Sequence, residues 1–167
     1  MSRTLSYVIL VLFVAVSVVL IAARPDWVSD KNAFLENFVN HEFLNLLGVI
    51  LAITLASVAN IHLEFNKIEE RFGREGLKTS RANLKQNANW LVGLFMFGLF
   101  VVTLKPLISF NEVGQAAANT AALFVVVWHV LILVSLYQLV FAIPPHVTPA
   151  APPAPQSPPN TEQKTQP

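Results

Sequence analysis

The sequence predicts an all-α membrane protein: a four-transmembrane helical bundle with a cytoplasmic helical hairpin between spans two and three and a disordered, proline-rich C-terminal tail. Three observations point to it. Apolar runs recur at residues 5–23, 44–63, 90–108 and 117–143 of the 167. At 1.5 Å rise per residue, each can cross a hydrocarbon core of about 30 Å as a helix. Six Lys and Arg lie between runs two and three, and nine of the last 24 residues are proline. Only 13% of residues are charged and 54% are hydrophobic, against about 25% charged in soluble domains. The formal net charge of +1 gives no global attraction to nucleic acid, so any electrostatic role must come from local clustering. The chain has no cysteine, which removes a disulfide framework, a thiolate metal site and a cysteine nucleophile.

Run one is an expected uncleaved anchor. Arg3 gives it a basic start and Ala22-Ala23 a weak small-residue cleavage site. Its 19-residue run exceeds the apolar core of a signal peptide, and a bulky Ile21 spoils the cleavage pattern. Were it cleaved, three spans would remain and the amino terminus would lie outside.

Orientation follows from basic residues in short loops. Lys67, Arg71, Arg74, Lys78, Arg81 and Lys85 fall between runs two and three, whereas only Arg24 and Lys31 fall between runs one and two. The richer loop belongs in the cytoplasm, and four spans then put both termini there, in a plasma or inner membrane. Tyr7, Trp90 and Tyr137 fall near the inner interface and Trp27 at the outer one, as aromatic belts prefer. Lys105 is the exception near the outer end of run three, where its stem is expected to snorkel to the interface.

Residues 30–42 predict an amphipathic outer helix. Asp30 is a plausible N-cap, and Phe34, Leu35, Phe38 and Val39 recur at helical spacing opposite Lys31, Asn32, Glu36, Asn37 and Asn40. No Pro or Gly separates this helix from run two before Gly48, so it either bends along the interface or continues straight. It seats the bundle, or it serves as a lid or partner surface. Within run two, Gly48, Ala52 and Ala56, followed by Asn60, sit four apart. Small residues on one face let helices approach closely in lipid, and the row serves either the chain's own bundle or a second copy.

Residues 64–89 carry basic residues spaced alternately four and three apart, which would make one stripe on a continuous helix. Gly73 and Gly76 interrupt it, and the apolar faces before them (Phe65, Ile68, Phe72) and after them (Leu77, Leu84, Ala88) do not align. A helical hairpin turning at 73–76 accommodates both faces and returns the chain to the membrane. Glu70 and Arg74 are spaced for a weak pair at its tip. The basic residues form a solvated face that fixes topology, bind anionic lipid headgroups, or dock an acidic protein or nucleic acid. Residues 144–167 lack apolar periodicity and predict a disordered tail. Its PxxP matches are expected from proline density alone.

No cofactor fingerprint, nucleophile motif or metal-ligand spacing emerges, and no catalytic, cofactor or metal residue is assigned. His41-Glu42 opens like a zinc-protease helix, but Asn45 stands where the second histidine is needed. His62 and Glu64 face different sides of a helix, and Ser6, Ser17, Ser57 and Ser135 have no histidine and acid nearby in sequence. His129 is the one ionisable group near the centre of a span, a functional hypothesis by default. Thr54 is expected at a similar level and Ser17 slightly outward, so hydroxyl partners are available. A neutral histidine that fixes helix rotation and a proton- or ligand-handling residue are both open. The expected class is a non-enzymatic, self-associating scaffold, pore subunit or membrane effector. A small transporter or proton-linked channel using His129 is the alternative, and an intramembrane enzyme the third.

Overall fold

The computed structural model describes residues 3–72 and 78–141, which form five α-helices and one 3-10 turn without a strand. In chain order these are α1 (Arg3–Ala23), the turn Pro25–Trp27, α2 (Ala33–Phe38), α3 (His41–Phe72), α4 (Lys78–Ile108) and α5 (Glu112–Phe141). Four of them, α1, α3, α4 and α5, are long and apolar enough to cross a membrane. The turn expected at 73–76, with Arg74, and the tail at 144–167 lie outside the described residues.

α5 is the hub, packing on α4, α1, α3 and the 3-10 turn. Its buried residues Ala118, Ala122, Val125, His129, Ile132 and Leu136 alternate spacings of four and three. That seam keeps one face of a 3.6-residue helix against its neighbours along most of its length. α4 presents a similar face, at spacings of three or four, through Leu84, Ala88, Leu91, Leu94, Gly98 and Val101. Aromatic rings bridge three helices: Phe13 of α1 meets Phe124 at 6.2 Å, Phe124 meets Trp128 at 5.4 Å, and Trp128 meets Trp90 of α4 at 5.3 Å.

α3 buries Phe43, Leu47 and Phe65 almost wholly, while Val49, Ile53 and Leu63 on its other faces are exposed. The close approach is supplied by the opposite helix. A Cβ on Gly98 of α4 would lie 2.8 Å from Leu47 Cδ1 and 3.1 Å from Phe43 Cε1, so these knobs fill the space that glycine leaves. The row Gly48, Ala52 and Ala56 is not the bundle's packing spine. Gly48 is half-buried, while Ala52, Ala56 and Asn60 are exposed. Ala52 lies five residues after Leu47, about 140° around the helix at 3.6 residues per turn, so the two cannot share a face. Because Phe43 is near Gly98 and Glu69 is near Arg81, α3 and α4 run antiparallel and stay paired beyond their apolar runs.

The helix expected over 30–42 is shorter and broken. Asn32, not Asp30, caps α2 by accepting from Phe34 N at 3.1 Å, and Asn40 starts α3 by accepting from Glu42 N at 3.1 Å. Asparagine caps supply the stop and restart that neither Pro nor Gly provides. Leu35 and Val39 are buried and Phe38 half-buried. The apolar face of α2 therefore seats on its own bundle, with exposed Phe34 stacked on Phe38 at 5.4 Å.

Candidate functional site

His129 sits in the buried seam of α5, fully enclosed. Its Nδ1 lies 3.2 Å from the Val125 carbonyl, an acceptor only, so the proton belongs on Nδ1 and Nε2 carries a lone pair. Nε2 is buried with no hydrogen-bond partner. The hydroxyls expected to meet it do not. Thr54 is buried but donates to Ile50 O of its own helix at 2.7 Å, and Ser17 is buried on α1 without bonding His129.

A denser polar cluster closes the end of the bundle that carries α2. Pro25 opens the 3-10 turn with its fixed φ. Asn32 donates to Trp27 O at 3.1 Å, and buried Ser29 donates to Asp26 O at 3.3 Å and accepts from Lys31 N. These local bonds fold the segment so that Asp30 points at α4 and α5. Asp30 Oδ1 pairs with Lys105 Nζ at 2.8 Å and accepts from Asn119 Nδ2 at 2.9 Å. Asn119, wholly buried, also donates to Val28 O at 3.0 Å, while Gln115 accepts from Asp30 N. Lys105 reaches Val39 O at 3.4 Å. Its side chain is only 12% exposed, so it does not snorkel: a carboxylate and a backbone carbonyl supply the partners that the interface was expected to provide.

Chemically, this cluster clamps. Among the described residues no three His, Cys, Asp or Glu gather as a metal site, and Asp30 is already committed to two donors. Beside it Lys31 pairs with Glu112. The hydrogen bond that Lys31 donates to the Glu112 carboxylate, then that group's charge, raises the Lys31 pKa above the ordinary 10.5 against a loss from desolvation, with Asp26 adding to the rise. A raised folded-state value means that any stabilisation is complete below pH 10.5 and lost only as pH climbs through the folded value, so the pair is no switch near neutrality.

At the opposite end the basic residues are divided. Arg81 joins Glu69 at 2.8 Å and also donates to Asn66, tying α4 to α3, whereas Lys67 pairs locally with Glu64 at 2.6 Å in an exposed site. Lys78 and Lys85 are exposed. Arg71 belongs to α3, but its side chain, like all of Arg74, lies outside the described residues.

Sequence reading missed Asp30, Asn119 and Gln115 as partners. The available signal was Lys105 itself, a lone cation in an apolar run that needs an anion at its own level, with Asp30 among the few acids on that side. Comparison with protein-family models, with characterised proteins and with solved structures gives no match.

Proposed function

We propose that this chain is a non-enzymatic multi-pass membrane protein that self-associates as a scaffold, pore subunit or membrane effector, with both termini and the α3–α4 extension in the cytoplasm. One observation carries the reading: Ala52 and Ala56 lie exposed on α3, off the face that buries Phe43, Leu47 and Phe65. In lipid, where apolar side chains gain nothing by leaving solvent, a small-residue row favours close helix packing through van der Waals contact. A second copy of the chain offers the matching row. The exposed Lys85 of the extension meets anionic lipid headgroups at about 1 kcal/mol near the surface.

Single-cysteine variants, free of background because the chain has no cysteine, test assembly and orientation together. Oxidation in native membranes should join two copies through Ala56→Cys. An impermeant maleimide should label Asn37→Cys from outside and Thr79→Cys only after permeabilisation. Ala52→Leu should lower oligomer yield at unchanged melting temperature, since Ala52 is exposed. An uncrosslinked monomer overturns self-association, and reversed labelling overturns the orientation.

A second reading rests on the partnerless Nε2 of His129, where a proton-linked channel or small transporter would take up a proton. In that reading His129→Gln keeps the bundle folded but abolishes ion flux in liposomes, because glutamine does not protonate near neutral pH. Flux that is unaltered in the variant across a pH series eliminates it.

A further inference from the structure

Four polar side chains from three helices converge on one crevice of about 140 Å³, at the end of the bundle where α3 and α4 extend: Ser6 of α1, Gln86 and Asn87 of α4, and Ser135 of α5. None of the four side chains is hydrogen-bonded to another described residue. Three hydroxyls elsewhere in the long helices, Thr54, Ser57 and Thr103, turn back onto the carbonyl four residues before them. The crevice groups keep their donors and acceptors available.

The lining is graded along the helix axes. One turn deeper into the bundle, Ser6 gives way to Leu10, Gln86 to Trp90, and Ser135 to Leu131 and then Trp128. Trp90 and Trp128 stand together in the deep part with ring centroids 5.3 Å apart. Polar groups at the mouth and apolar groups below match an amphiphile standing in a bilayer leaflet. No charged residue lines the crevice, which leaves a phosphate without the Arg or Lys that binds it. Pockets for whole drug-sized molecules run from about 300 Å³ upward, so a cavity of about 140 Å³ holds a small head while the rest of the ligand stays in lipid. An apolar groove along α1, lined by Tyr7, Val8, Val11 and Leu12, adjoins through the shared Tyr7.

We propose that this crevice binds an uncharged membrane amphiphile, its hydroxyl- or carbonyl-bearing head among Ser6, Gln86, Asn87 and Ser135 and its apolar part against Leu10, Trp90 and Trp128. The inference rests on the membrane reading above but not on self-association. Amides can donate to a carbonyl or accept from a hydroxyl, and serine hydroxyls do the same.

The two tryptophans report binding directly. Trp27 lies at the other end of the bundle, so the full-length Trp27→Phe protein in maltoside micelles confines the signal to Trp90 and Trp128. Dioleoylglycerol and decylubiquinone probe the hydroxyl and carbonyl forms of the head, and phosphatidylglycerol provides the charged comparison. At least one neutral probe should give a saturable fluorescence change, unlike the unsaturating quenching of a dissolved indole. Gln86→Ala with Asn87→Ala should weaken it about tenfold, as expected for two lost hydrogen bonds, at unchanged melting temperature. If that pair of changes lowers the melting temperature, Ser135→Val at the exposed mouth should still weaken binding severalfold. No saturable response to either neutral probe, equal affinity for phosphatidylglycerol, or undiminished binding by both variants overturns the site. Failure of the membrane reading would appear separately, in the maleimide labelling.

Discussion

Gly114→Ala is expected to destabilise the bundle by at least about 3 kcal/mol, measured as a fall in melting temperature in detergent against a Gly93→Ala control. A Cβ on Gly114 would stand 1.8 Å from the backbone oxygen of Ile108 and 3.0 Å from its carbonyl carbon. Backbone cannot swing aside as a flexible side chain can. Gly114 is helical, so the requirement is space and not an unusual φ. The site is also the first turn of α5, where Gly114 N donates to Asn111 Oδ1 at 2.6 Å and closes the cap. Moving the turn to admit a methyl group would break that cap and shift α5, on which α4, α1 and α3 all pack. Gly93 has nothing within 4 Å of a Cβ, so alanine there should be neutral or gain up to about 1 kcal/mol from helix propensity. Equal melting temperatures for the two variants would show that the α4–α5 connection yields freely.

The four long helices were legible because an apolar run must satisfy its own backbone hydrogen bonds, and a helix does so within the run. Their lengths were less legible. α3 continues to Phe72 and α4 begins at Lys78, well outside the apolar runs, since hydropathy reports the thickness of the apolar layer and not where helix pairing stops. Which face of α3 turns inward was not legible either. Leu47 and Ala52 are both apolar, and a helix hydrophobic all round has no polar stripe to orient it. Size complementarity decides instead: Phe43 and Leu47 need a glycine opposite, and α4 provides Gly98. That match becomes visible only when the two helices are set side by side.

The candidate site divides in the same way. His129 was singled out by its position in an apolar run, and the structure places it in the seam. Depth alone points to hydroxyl partners for it, but depth says nothing of rotation about the helix axis. Asp30 resembles a local cap in the sequence because the local signal is complete without α5. Its true partner Asn119 is 89 residues away, a distance no periodicity spans.

Lys105→Met should cost about 3 kcal/mol, the other large effect, and the reason is the company Asp30 keeps. The ion pair is 2.8 Å long with side chains 12% and 22% exposed, so solvent screens it weakly. Removing the ammonium leaves a largely buried carboxylate with Asn119 Nδ2 as its side-chain donor. Methionine keeps the length and apolar volume of the lysine stem, so the loss reports charge and not packing. Asp30→Asn alone strands Lys105 instead, although it retains an oxygen for Asn119. In the double variant neither charge remains and the amide oxygen can still accept from Asn119, so most of the single-variant loss should return. A thermodynamic cycle from the four melting curves measures this coupling. Single losses that simply add would mean that the two charges do not sense each other, and the segment from Pro25 to Asp30 would then be held by its other contacts with α5, through Gln115 and the Val28 carbonyl.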